Sequence, residues 1–128
     1  MKMFEQITIV IIIVILIIFL EVVTSKNTAY SISKMLDEIN SISNLLEKDM
    51  NKAKEKSKNI FEKWEELENK MNYYLEHDEL EKVGRQVKIL ESQIEIENDF
   101  DIKQNIAEIK FLLKHIEEKP KITIDNIF

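Results

Sequence analysis

The sequence predicts an all-α protein: an N-terminal transmembrane helix followed by an antiparallel bundle of about four helices. Three observations predict it. The 128 residues include one glycine and one proline, too few for the corners of a sandwich, a barrel or a doubly wound sheet. A long aliphatic run opens the chain. Beyond it, apolar residues recur at alternating spacings of three and four, the period of a helix face and not of a strand.

The aliphatic run reads ITIVIIIVILIIFL from Ile7 to Leu20, and the span 7–23 is interrupted only by Thr8 and Glu21. At ~1.5 Å per residue those residues make about 25 Å of helix, and starting at Met3 supplies the turn still needed for a ~30 Å hydrocarbon core. Summed insertion preferences of Ile, Leu, Val and Phe outweigh one peripheral glutamate. The expectation is a retained anchor that meets the bilayer through residues 3–23, within an anchor segment 1–25. The rival is a cleaved signal peptide, since Val23-Thr24-Ser25 is a tolerable cleavage pattern, but an Ala-x-Ala site is missing and Glu5 weakens the positive leading region. Lysines flank both sides of the run, so charge does not decide orientation. The expected localisation is the cell membrane, single-pass, with the folded domain outside the cytoplasm.

Residues 26–120 carry four apolar series. The first is Ile32, Met35, Ile39, Ile42 and Leu46, widened by Leu36 and Leu45. Ala53, Ile60, Trp64, Leu67, Met71 and Tyr74 form the second, with Phe61 and Leu75 beside them. Leu80, Val83, Val87, Leu90 and Ile94 form the third, and Ile102, Ile106, Ile109, Leu113 and Ile116 the fourth. Trp64, Leu67, Leu90 and Ile109 are expected in the core. Polar clusters at Lys48–Asn51, Glu76–Asp78 and Asn98–Asp101 mark the breaks, and Asp78 with Glu81 and Asp101 with Gln104 read as N-caps. Pro120 stops the last helix, and residues 121–128 read as an extended apolar tail. Short turns favour antiparallel neighbours. Chain direction then puts the His77 turn and the tail at the end near the anchor, and the Asp49 and Asp99 turns at the far end.

Charge and composition narrow the function. Lys plus Arg is 18 against 24 Asp plus Glu, a net of −6, which argues against nucleic acid as a partner. Without cysteine there is no disulfide, no thiolate nucleophile and no cysteine-ligated metal. His77 with Glu79, and His115 with Glu117 and Glu118, form the one constellation resembling a metal site. The Glu-x-x-His pairs of di-metal bundles are missing, so solvated or capping histidines are the better reading. Gly84 reads as a neutral surface residue in a helix, with close helix approach as the alternative. The lysines from Lys52 to Lys58 read as a solvated face. No catalytic triad and no phosphate-binding glycine loop is recognisable, so no catalytic residue, metal or cofactor is expected.

Trp64-Glu65-Glu66-Leu67, His77-Asp78-Glu79-Leu80, Leu112-Leu113-Lys114-His115-Ile116 and the ending Ile124-Asp125-Asn126-Ile127-Phe128 occur in an order that resembles the family catalogued as domain of unknown function 4363. The resemblance covers essentially the whole chain. It implies a membrane-anchoring N-terminus, a mid-chain His-x-Glu, an origin among spore-forming Gram-positive bacteria, and no assigned activity. It also implies a genomic neighbour that is a polytopic membrane protein. The sequence departs from the family at Met50-Asn51-Lys52-Ala53, where a tryptophan in an acidic turn is common.

The expected function is therefore a membrane-anchored helical interaction domain, an accessory subunit of a membrane protein complex. Tyr73, Tyr74, His77, Ile122, Ile124, Ile127 and Phe128 are the expected interface with another membrane protein, and a homo-oligomer is also compatible. An extracytoplasmic ligand-sensing bundle and a coiled-coil scaffold of the cell envelope are the alternatives.

Overall fold

The computed structural model describes residues 2–118, and within them every regular element is an α-helix. The helices are α1 (Lys2–Lys48), α2 (Met50–Lys58), α3 (Ile60–Met71), α4 (His77–Glu95) and α5 (Asp99–Glu118). The tail 121–128, with Ile122, Ile124, Ile127 and Phe128, lies outside the described residues.

Helix α1 runs unbroken for 47 residues, about 70 Å at ~1.5 Å per residue. Nothing between Val23 and Ile32 can stop it, because that stretch holds neither glycine nor proline. The aliphatic run and the first bundle helix are thus one element. The run is long and apolar enough to cross a membrane, and none of it is buried inside the protein.

Asp49 ends α1 and caps α2, its side chain accepting the amide N–H of Lys52 at 3.2 Å. The second apolar series is divided between α2 and α3 at Asn59, a break that its regular spacing conceals. Ser57 explains it in part. Its hydroxyl donates to the Lys54 carbonyl at 2.9 Å, and the Asn59 N–H reaches the Lys56 carbonyl three residues back. Such local bonds loosen the four-residue ladder.

Both expected N-caps shift toward the N-terminus. Helix α4 opens at His77 with Glu76 before it, which puts Asp78 in the first turn. At α5 the cap is Asn98, whose Oδ1 accepts the Asp101 N–H at 3.3 Å while its Nδ2 donates to Asp101 Oδ2 at 2.6 Å. Acidic residues suit the first turn as well as the cap, because both positions meet the positive end of the helix dipole. Between α4 and α5 the chain turns through Glu97 at φ 56°, with Glu97 N–H bonded to Ile94 O and Asn98 N–H to Gln93 O. That is the left-handed helix ending usually given to glycine.

Three pairs mark the register of the return stroke. Lys54 meets Glu97 at the far end, Lys63 meets Glu38 at 3.0 Å midway, and Tyr74 meets Thr28 at 2.9 Å where α1 enters the bundle. Helices α4 and α5 then pack most extensively on each other, and α5 closes against α1. Among the described residues, the nineteen buried apolar ones all fall on the four series, while Leu46 and Tyr74 are half-buried at their edges. Trp64, Leu90 and Ile109 are fully covered, and Leu67 nearly so. The lysine run is less free than a solvated face, since Lys54 and Lys56 reach Glu97 and Glu38 on other elements.

Gly84 corrects its expected surface placement. It is buried, and a Cβ built there would lie 3.2 Å from Trp64 Nε1 and 3.3 Å from Trp64 Cδ1. The missing side chain is what lets α4 approach the indole on α3. Gly84 and Val83 are adjacent and both inward, so the apolar spacing alone left the glycine's side of the helix undecided.

Candidate functional site

Of the sequence-predicted interface residues, Tyr73, Tyr74 and His77 lie at the end of the bundle nearest the apolar segment. Met71 ends α3, and the short turn 72–76 carries Tyr73 and Tyr74 before His77 opens α4. The two tyrosines divide their roles. Tyr74 is half-buried, and its hydroxyl hydrogen-bonds Thr28 Oγ1 at 2.9 Å and accepts from Asn27 Nδ2 at 3.1 Å, while Thr28 Oγ1 also reaches the Thr24 carbonyl at 2.8 Å. Asn27 also reaches the Lys70 carbonyl at 3.5 Å. Tyr73 points away and is 91% exposed.

The histidines sit on α4 and α5 and do not lie in a turn. His77 Nε2 is 3.9 Å from Glu81 one turn along, and His115 Nε2 is 3.5 Å from Glu79 across the helix pair. Each pair is ionic only while its imidazole is protonated. Glu68 on α3 has its carboxyl held above the ordinary glutamate range, first by burial and then by Glu65 and Glu81, with His77 opposing.

Beside His115 a shallow groove of about 170 Å³ is lined by Glu79, Lys82, Phe111, Leu112, His115 and Ile116. The Phe111 and His115 rings stack at 6.4 Å. Among the described residues no three His, Asp or Glu side chains converge as metal ligands would. Glu117 and Glu118 do not join His115 in such a group.

The chain matches the family DUF4363, a domain of unknown function, over residues 22–127. It belongs to that family. No curated protein and no solved structure matches it.

In this DUF4363 chain the match starts where the apolar run ends, so it takes in the bundle and almost all of the tail. Sequence reasoning missed three members of the site: Asn27, Thr28 and Lys70. For Thr28 a signal existed. Positions 28, 32, 35, 39 and 42 continue one alternating spacing of four and three, and Thr28 is buried on that face. Its hydroxyl reaches back to the Thr24 carbonyl at 2.8 Å and also meets Tyr74 across the bundle. Asn27 and Lys70 have no comparable signature, because their bonds depend on the packing of α1 against α3.

Proposed function

We propose that this DUF4363 chain is a single-pass, membrane-anchored interaction domain, an accessory subunit of a membrane protein complex whose bundle stands outside the cytoplasm. It works without a catalytic residue or cofactor of its own. The unbroken α1 carries the reading: one helix presents an uncovered aliphatic segment at one end and a face of the packed core at the other. Apolar side chains fill the interior, and the groove beside His115, at about 170 Å³, is below the roughly 300–1,000 Å³ of small-molecule sites, which favours surface recognition over ligand sensing. Helices α2, α3 and α5 pack against α1 and α4 packs against those three, which disfavours a rod-like scaffold. Ile122, Ile124, Ile127 and Phe128 come after α5 in the sequence, α5's last described turn lies beside the start of α4, and these four residues are proposed to touch the partner.

Two measurements test the reading. The intact protein should stay with membranes through an alkaline carbonate wash, while a protein lacking residues 1–25 should be soluble and helical. Release of the intact protein would end the anchor reading. In a detergent pulldown, deletion of residues 121–128 should lower recovery of a co-purifying membrane protein more than it lowers thermal stability. A deletion that unfolds the bundle would make the tail a structural plug and remove the argument for partner contact.

A further inference from the structure

We propose that the α3–α4 turn, residues 72–76 with Tyr73 at its tip, rests in the headgroup layer of the same bilayer that α1 crosses. The inference builds on the membrane-spanning reading given above. Its geometry comes from the clasp between α1 and the turn. Tyr74 is bonded to Asn27 and Thr28, and Thr28 stands five residues beyond Val23, the last residue of the aliphatic run. On a continuous helix that is about 7–8 Å of axial rise. The headgroup layer on each side of a ~30 Å hydrocarbon core is roughly 5–8 Å thick. The clasp therefore holds the turn at the upper boundary of that layer, and it cannot drift, because α1 has no break between the two points.

Tyr73 is the residue this position calls for. It is almost fully exposed, carries an apolar ring with a polar tip, and nothing in the described bundle covers it. Such a side chain gains little in bulk water and is favoured where one end is wet and the other apolar. The charges around it select the lipid. Exposed Glu76, Asp78 and Glu81 stand against Lys26, Lys70 and His77, which leaves no net positive charge to favour an anionic surface over zwitterionic headgroups.

The chain has no cysteine, so single spin labels can be placed without background. Full-length protein with Asn72→Cys, Ile13→Cys or Phe100→Cys would be labelled and reconstituted at high dilution into phosphatidylcholine vesicles. Relaxation by oxygen and by a water-soluble nickel chelate then reports depth. The label at 13 should be shielded from nickel and open to oxygen, and the label at 100 should be fully open to nickel. The label at 72 should lose most of its nickel relaxation relative to 100, and Tyr73→Ser should return part of it. A label at 72 as open to nickel as the one at 100, with 13 still shielded, would overturn the docking and leave the span intact. A nickel-accessible label at 13 would overturn the span and the docking together. Shielding at 72 that disappears on further dilution of the protein would assign the contact to a second copy and likewise overturn the proposal.

Discussion

Replacing Gly84 separates two effects that the sequence alone leaves tangled. A glycine in mid-helix costs about 1 kcal/mol relative to alanine, so at an open surface site Gly84→Ala would raise stability by that amount. At the observed site the new Cβ meets Trp64 Nε1 at 3.2 Å and Cδ1 at 3.3 Å. Those are atoms of a rigid ring with no exposed surface, so the ring moves only by displacing its neighbours. Overpacking a core costs roughly 1–3 kcal/mol, and a single carbon that asks the ring for only a few tenths of an ångström sits near the lower end, where it cancels the propensity gain. Gly84→Ala should therefore change stability by less than about 1 kcal/mol. Gly84→Leu adds three more carbons against the same ring and keeps a similar propensity gain. Its net loss should be about 2–3 kcal/mol, or roughly 10–20 °C in melting temperature for a domain of this size.

The assay is thermal unfolding of the full chain in detergent, followed by circular dichroism at the helical band. A double-mutant cycle makes it specific. Trp64→Phe removes the ring edge that the new side chain strikes, so Gly84→Leu should cost less in that background than in the parent. A Gly84→Leu protein that melts with the parent, or the same cost in both backgrounds, would refute the contact between α3 and α4.

Leu90 is fully covered, so Leu90→Asp should cost about 4 kcal/mol or more by adding an unpaired carboxylate to the loss of packing, whereas the exposed Glu66→Lys should barely move the melting temperature. Equal tolerance of the two would show that the helix faces are misassigned. Glu97→Gly should raise stability by up to about 1 kcal/mol, because Glu97 holds a left-handed conformation that glycine adopts without strain, and its pair with Lys54 at 3.8 Å is too exposed to offset this. Urea midpoints at constant slope would check it, and a lower midpoint would count against the strain. Glu68 has a raised pKa in the folded protein, so its charge opposes folding above that pKa, and the opposition fades as pH falls through it. Glu68→Gln should thus stabilise at neutral pH, with the gain shrinking on acidification; a gain that grew toward low pH would reverse the assigned cause.

Local repetition made most of this fold legible. A helix face repeats every turn, so Ile102, Ile106, Ile109, Leu113 and Ile116 mark the buried side of α5 from spacing alone. The remaining features depend on what a residue meets across the bundle. Gly84 bears no side chain to show which way it faces, and only Trp64, twenty residues earlier, makes its size matter. Asn59 breaks a helix without disturbing the apolar spacing, because Ser57 fills the inward position with a hydroxyl that composition counts as polar. The clasp joins residues 46 positions apart, Thr28 and Tyr74, and neither stands out until α3 is laid against α1. What the sequence concealed is therefore long-range pairing, and the site near the apolar segment is built almost entirely from it.

Helix α1 joins the two halves of the molecule without giving them a common core. Buried residues on it begin at Thr28, and residues 2–20 are exposed along their whole length. So extended an aliphatic surface far exceeds what a monomer carries in water. Nothing among the described residues covers it, while the bundle buries nineteen apolar residues of its own. The link between the halves is mechanical. From Val23 to Lys48 the unbroken helix rises roughly 40 Å, which sets the height of the far turns above the end of the apolar segment. Ile96 and Phe100 stand exposed at that far end, and Tyr73 at the near one. With the proposed topology, a partner that reads the near end must lie at the membrane surface, and one that reads the far end must reach roughly 40 Å from it. The fixed height of a packed bundle on one stiff helix is thus itself a constraint on what this domain can hold in place.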